Sequence, residues 1–175
     1  MWLNSLLINS ALTQGAIYII RPAISYRTLE MHGSVFELGL IGGAYAFLPV
    51  VVAIAFGKLA KRTGEGKFLI LGTISIALVG LFLSTSHSLI AVGVLSALAG
   101  MSHLMCMIGG QSMVAIKSDA HVYSRNFGYY TFSASLGQTL GPAVAGFTLG
   151  ISLLSMHGTQ FTLLVGGFVA LLGLI

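Results

Sequence analysis

Arg21 lies inside an apolar run long enough to cross a bilayer, directly before Pro22. Inserting a guanidinium there costs at least about 2.5 kcal/mol, so such side chains face a bundle interior or a water-filled cavity, or reach back to the headgroups. At helical spacing Arg21 shares a face with Gln14, Tyr18 and Ser25, which gives one polar stripe on an otherwise apolar helix. Two uses remain open at this stage. Arg21 either snorkels to the outer headgroups from a helix ending near residue 22, or it lines a cavity and contacts an anionic or polar substrate or a coupling carboxylate. Glu30 and Glu37 are the acids near enough in sequence to pair with it, both towards the outer mouth.

A second constellation runs through Gly137–Gly146, GQTLGPAVAG. Gly137, Gly141 and Ala145 recur every four residues and form a smooth helix face, while Pro142 sets a bend. Ser135 and Gln138, with Thr131, mark a polar face suited to a cavity wall. Further back, His103, Cys106, Met107 and Gln111 gather polar and soft groups in another apolar run. No second histidine or carboxylate stands within a turn, so no metal site is expected and no cofactor is implied. His103 reads instead as a side chain satisfied by a hydroxyl or open to a cavity. Gly64-Glu65-Gly66-Lys67 lacks the spacing and the following Ser/Thr of a phosphate loop, and no HExxH, GxSxG or CxxC occurs, so no enzyme is indicated.

The elements that must hold these residues follow from composition. The 175-residue chain is 56% hydrophobic and 7% charged, with a mean hydropathy of +0.97. Soluble domains carry about 25% charged residues. The expected fold is therefore all-α, a polytopic bundle of transmembrane helices whose first partner is the lipid bilayer. Spans are placed at about 3–26, 36–56, 68–84, 89–114, 127–149 and 161–175. Gly39 and Gly43 of the second form a small-xxx-small face for close helix contact, and Pro49 bends it where a neighbour can re-satisfy the freed carbonyl. The outer loops fall near 31–34, 85–88 and 152–160. The last span has only 15 residues before Ile175, against about 20 needed to cross, so the sequence reads as a piece of a longer protein.

The stretch Gly57–Lys67, GKLAKRTGEGK, holds four of the eight basic residues. As a tight basic loop between two spans it stays cytoplasmic, which places Lys58, Lys61, Arg62, Lys67, Lys117 and Arg125 inside and the N-terminus with them. Topology accounts for the net charge of +4, so nucleic acid is not an expected partner.

These residues resemble the N-terminal half of a major facilitator superfamily transporter over essentially the whole chain. The family's loop between the second and third helices reads roughly G-x-L-x-D-R-x-G-R-R/K. Gly57, Leu59, Arg62 and Gly64 match it. Lys61 stands at the acidic position, and Glu65 and Gly66 replace a basic pair. The resemblance implies an inner-gate latch in this loop, which Lys61 cannot serve and which Glu65 can replace. Gly137, Gly141, Pro142 and Gly146 are similar to the helix-packing motif of proton-coupled exporters, although the arginine common in the fourth span of those exporters has no match here. The resemblance further implies that the first and fourth helices line a cavity, placing Gln14, Tyr18, Arg21 and His103 near substrate, with Gln138 alongside. A second half would supply the opposite wall.

The expected function is secondary active transport in the inner membrane, proton-coupled export of small organic molecules by alternating access. Two alternatives stand beside it: a six-helix half-transporter that dimerises, and a membrane scaffold that moves nothing.

Overall fold

The computed structural model describes residues 2–152 and 158–174, and the described residues form six α-helices with no strand. They are α1 (Trp2–Glu30), α2 (Val35–Thr63), α3 (Glu65–Thr85), α4 (Leu89–Lys117), α5 (Tyr123–Ser152) and α6 (Gly158–Leu172). The first four are long and apolar enough to cross a membrane. At about 1.5 Å per residue, the 29 residues of α1 extend about 43 Å, beyond a hydrocarbon core of about 30 Å.

The helices outrun the expected spans at most ends. α1 passes through Pro22 and continues to Glu30, because Ala23, Ile24 and Thr28 bury against the bundle and hold the last turns. The stretch Gly57–Lys67 is not an open loop. α2 runs through Lys61 and Arg62 to Thr63, α3 starts at Glu65, and Gly64 alone joins them. Gly64 makes this turn at φ +88°, a conformation costly for any side chain, while its N–H still bonds to the Ala60 carbonyl at 2.9 Å. The α5–α6 connection lies largely outside the described residues, and α6 begins at Gly158 rather than near Phe161.

α1 is the hub. It packs along α5 and α6 and also meets α4, while α3 lies between α4 and α6, and α2 leans on α4. Ile17, Ile20, Ile76, Leu83, Val92 and Leu163 fill the centre. α2 by contrast buries only Ile41 and Ala60. The glycines Gly39 and Gly43 have open space around them, so the expected packing face on α2 meets no helix among the described residues. The close contact of α2 is made by the other partner: Gly100 of α4 presses on the Tyr45 carbonyl and the Pro49 ring, where a Cβ would collide.

Polar clasps tie both ends of the bundle. At one end Arg27 donates to the Ser86 carbonyl at 2.7 Å and pairs with Glu30 at 3.4 Å, and Thr159 donates to the same Glu30 carboxylate. Ser34 caps α2 in a reciprocal box with Glu37. Towards the other end, Asn9 donates to Thr73 at 3.1 Å and to the Gly173 carbonyl at 2.7 Å. Lys117 stands 5.9 Å from the centre of the Trp2 ring, which puts the end of α4 beside the start of α1.

α1 and α5 touch almost backbone to backbone. A Cβ on Gly137 would overlap the Ala11 carbonyl, and one on Gly141 would sit 2.8 Å from the Gly15 carbonyl. Gly146, grouped with them by spacing, faces open space, and the buried Ala145 takes the next inward position. Gly137→Val should therefore cost 1–3 kcal/mol or more, of the order that overpacking costs, and depress the yield of monodisperse folded protein in a thermal-stability assay. Gly146→Val should leave the melting temperature within about 2 °C of the parent, since a change under about 0.5 kcal/mol is expected at an open position.

Candidate functional site

The polar stripe of α1 meets α4 and α5 at one buried amide. Gln14 is 2% exposed, and its Oε1 accepts from His103 Nε2 at 3.1 Å and from Gln138 Nε2 at 3.2 Å. Its own Nε2 donates to the Met107 thioether at 3.1 Å, a weak acceptor. His103 and Met107 reach the same amide because they are four residues apart on α4. Gln138 reaches it because Gly137 and Gly141 let α5 approach α1 so closely.

The network extends into α2 through Tyr45, whose hydroxyl lies 2.8 Å from His103 Nδ1. With Oε1 of Gln14 able only to accept, His103 Nε2 carries the hydrogen, and in the neutral imidazole Nδ1 accepts from the Tyr45 hydroxyl. Four helices are thus joined by side chains at one level. Interhelical hydrogen bonds in membranes contribute about 0.6 kcal/mol each, up to about 1.7. The set is worth a few such increments to stability, and it fixes the facing of α1, α2, α4 and α5.

Beside this network opens a cavity of about 380 Å³, walled by Tyr18, Arg21, Pro22, Ser25, Tyr45 and Pro142 among others. Arg21 is exposed towards it, its guanidinium 4.7 Å from the centre of the Tyr45 ring and 5.8 Å from that of Tyr18. The snorkelling alternative needed a helix ending near residue 22. Arg21 instead stands nine residues before the end of α1 and turns to two tyrosine faces. Among the described residues it meets no carboxylate. Both acids proposed for it are taken, Glu30 by Arg27 and Thr159, and Glu37 by the Ser34 cap.

The remaining candidate residues fall elsewhere. Thr131 and Ser135 are exposed on α5, with the Thr131 hydroxyl bonded to the Phe127 carbonyl, and Gln111 is exposed near the end of α4. Cys106 is buried against Thr73, and no group of three metal-ligating side chains occurs among the described residues. Gly57, Lys61, Arg62, Gly64 and Glu65 sit at the far end of the bundle. Lys61 and Arg62 are exposed there, and none of these charges forms an ion pair among the described residues. Tyr45 was missed by sequence reasoning. Its signal was the one phenol of its span, about one helical turn before Pro49.

Tyr45→Phe removes one interhelical bond and should cost about 0.5–2 kcal/mol, whereas His103→Leu removes two, to Tyr45 and to Gln14, and should cost about 1–3 kcal/mol. The double variant should lose less than the sum of the two when unfolded reversibly in mixed micelles, because both changes break the same contact.

Residues 6–175 match the model of the Major Facilitator Superfamily. The quinolone resistance protein NorA of Staphylococcus aureus (strain MRSA252) is 28% identical over 138 residues, 79% of this chain and 35% of its own length. The multidrug resistance protein MdtG of Klebsiella pneumoniae (strain 342) is 25% identical over 171 residues, 95% of this chain and 40% of its own length. The chain thus spans well under half the length of these relatives. The matched family model covers nearly all of it, and six helices with a buried polar centre are what it builds: the chain belongs to the major facilitator superfamily, a family of membrane transporters.

Proposed function

We propose that this chain is the N-terminal half of an inner-membrane secondary transporter that exports small organic molecules by alternating access, coupled to protons. The observation that carries the reading is the polar centre at Gln14, His103 and Gln138, set beside an Arg21-lined cavity inside an apolar bundle. Buried polar groups at membrane depth are expensive, and in transporters they mark substrate and ion pathways. Both relatives are named for drug resistance, one of them for quinolones, which favours export and a drug-like substrate range.

In this reading Tyr18 and Arg21 line the substrate cavity, and Gln14, His103 and Gln138, expected on its wall, form the polar centre beside it. A second half of the protein closes its open side, and the two halves rock about the site. The α1–α5 contact at Gly137 and Gly141, with the bend at Pro142, keeps this half rigid as it moves. The basic end with Lys61, Arg62 and Glu65 faces the cytoplasm together with the N-terminus, since six exposed Lys/Arg residues gather there. Glu65, in the first turn of α3, is the acid available to latch the inner gate where the family's usual position holds Lys61.

The test uses the full-length gene product in sealed vesicles with an imposed proton gradient and a panel of quinolones and other cationic, neutral and anionic compounds. Gradient-driven movement of a quinolone is the expected result. Arg21→Ala should reduce it at least tenfold while expression and membrane insertion stay near the parent level. No movement by protein shown to be folded would support a non-transporting scaffold, and an equal loss of folded Arg21→Ala protein would make Arg21 structural.

A further inference from the structure

The charges of this half are distributed so that one of them stands apart. The four acids all lie at the ends of the bundle: Glu30 and Glu37 at one end, Glu65 and, in the α4–α5 connection, Asp119 at the other. Glu30 and Glu37 are engaged in the Arg27–Thr159 clasp and the α2 cap. Six basic residues gather at the opposite end, and Arg27 is held by Glu30 and the Ser86 carbonyl. Arg21 alone brings a formal charge to the cavity wall, and it is positive.

We infer that the cavity takes an organic anion carried on a planar aromatic body, and discriminates against organic cations. This rests on the transport reading and specifies the substrate class of the same site. The guanidinium carbon lies 4.7 Å from the Tyr45 ring centre and 5.8 Å from that of Tyr18, and its N–H fork forms no ion pair among the described residues, which leaves it for a ligand. That fork matches a carboxylate with two parallel hydrogen bonds. The rest of the wall suits a flat apolar body: Pro22, Ile24, Leu38, Ile41 and Pro142 line it with the two tyrosine rings. At about 380 Å³ the space is that of a small aromatic molecule, within the usual range of ligand pockets. A cation in this space meets Arg21 at short range with no carboxylate of this half to compensate.

The experiment uses three probes on one ring system, 2-naphthoate, 2-naphthamide and 2-naphthylmethylammonium, with binding to the full-length protein measured in nanodiscs. Naphthoate should bind at least tenfold more tightly than the ammonium. Arg21→Gln should lower the ratio of naphthoate to naphthamide affinity at least tenfold, and Arg21→Lys should restore part of it. Ammonium binding as tight as naphthoate, or a ratio that Arg21→Gln leaves unchanged, would overturn the inference, the second by assigning Arg21 to a protein carboxylate. The parent protein's own ranking decides the matter if a variant fails to fold. Vesicle transport of a quinolone separates the two readings. Gradient-driven movement with a cation-preferring site sinks the anion inference alone, and no movement of any compound sinks the transport reading.

Discussion

A proline in a membrane helix frees a carbonyl that hydrocarbon cannot hydrate, and the arrangement of this half is built around that constraint. The chain has three prolines, and each follows a polar side chain of the site by four residues: Pro22 after Tyr18, Pro49 after Tyr45, Pro142 after Gln138. The carbonyl each proline releases is therefore that of a residue at the cavity or its network. Glycines stand opposite two of them. Gly100 lies on the Tyr45 carbonyl, and Gly141 lies against the backbone of Tyr18. At Tyr45 the missing Cβ lets α4 come directly onto the released carbonyl, while Gly141 meets the Gly15 carbonyl oxygen and the Cβ and carbonyl carbon of Tyr18. The same approach brings side chains one turn away within bonding distance, Tyr45 to His103 and Gln138 to Gln14.

Backbone proximity and side-chain chemistry are in this way one feature. The site sits where bent helices meet smooth ones, and the buried amide of Gln14 draws partners from α4 and α5 onto a single oxygen. Charge is kept from this centre by engaging it elsewhere. Acids cap helices or close the Arg27 clasp, and lysines crowd the far end. What remains along the apolar middle of the helices is neutral polarity and one guanidinium set over the Tyr45 ring. On the proposed transport reading, that is a wall on which a substrate would be read by hydrogen bonds and by one charge.

Helical spacing made part of this legible in the sequence. Gln14, Tyr18 and Arg21 fall on one face by arithmetic, and Gly137 and Gly141 by the same arithmetic face a close neighbour. Spacing does not say which helix that neighbour is. Gly39 and Gly43 have the same pattern as Gly137 and Gly141, yet they face open space, because α2 is held from its other side by Gly100. Nor does sequence proximity choose ion-pair partners: Glu30 and Glu37 lie near Arg21 along the chain, but local geometry binds the first to Arg27 and the second to a helix cap. Tyr45 was passed over for a related reason. Its importance comes from His103, 58 positions away, and from a proline whose effect is felt four residues earlier. The basic stretch at Gly57–Lys67 was read as a loop from its polarity, whereas charged residues also end helices well, and here a single glycine makes the whole turn.

The account depends on the space beside Arg21 being a water-accessible substrate path in the assembled transporter. Ser25→Cys tests this most directly, since Ser25 lines the cavity one turn beyond Arg21 and the native Cys106 is buried. In the full-length protein in intact cells, a membrane-impermeant maleimide should label that cysteine, and a transported compound should slow the labelling several-fold. Labelling only by lipid-soluble reagents, with no protection by any transported compound, would place this surface against lipid and contradict the account.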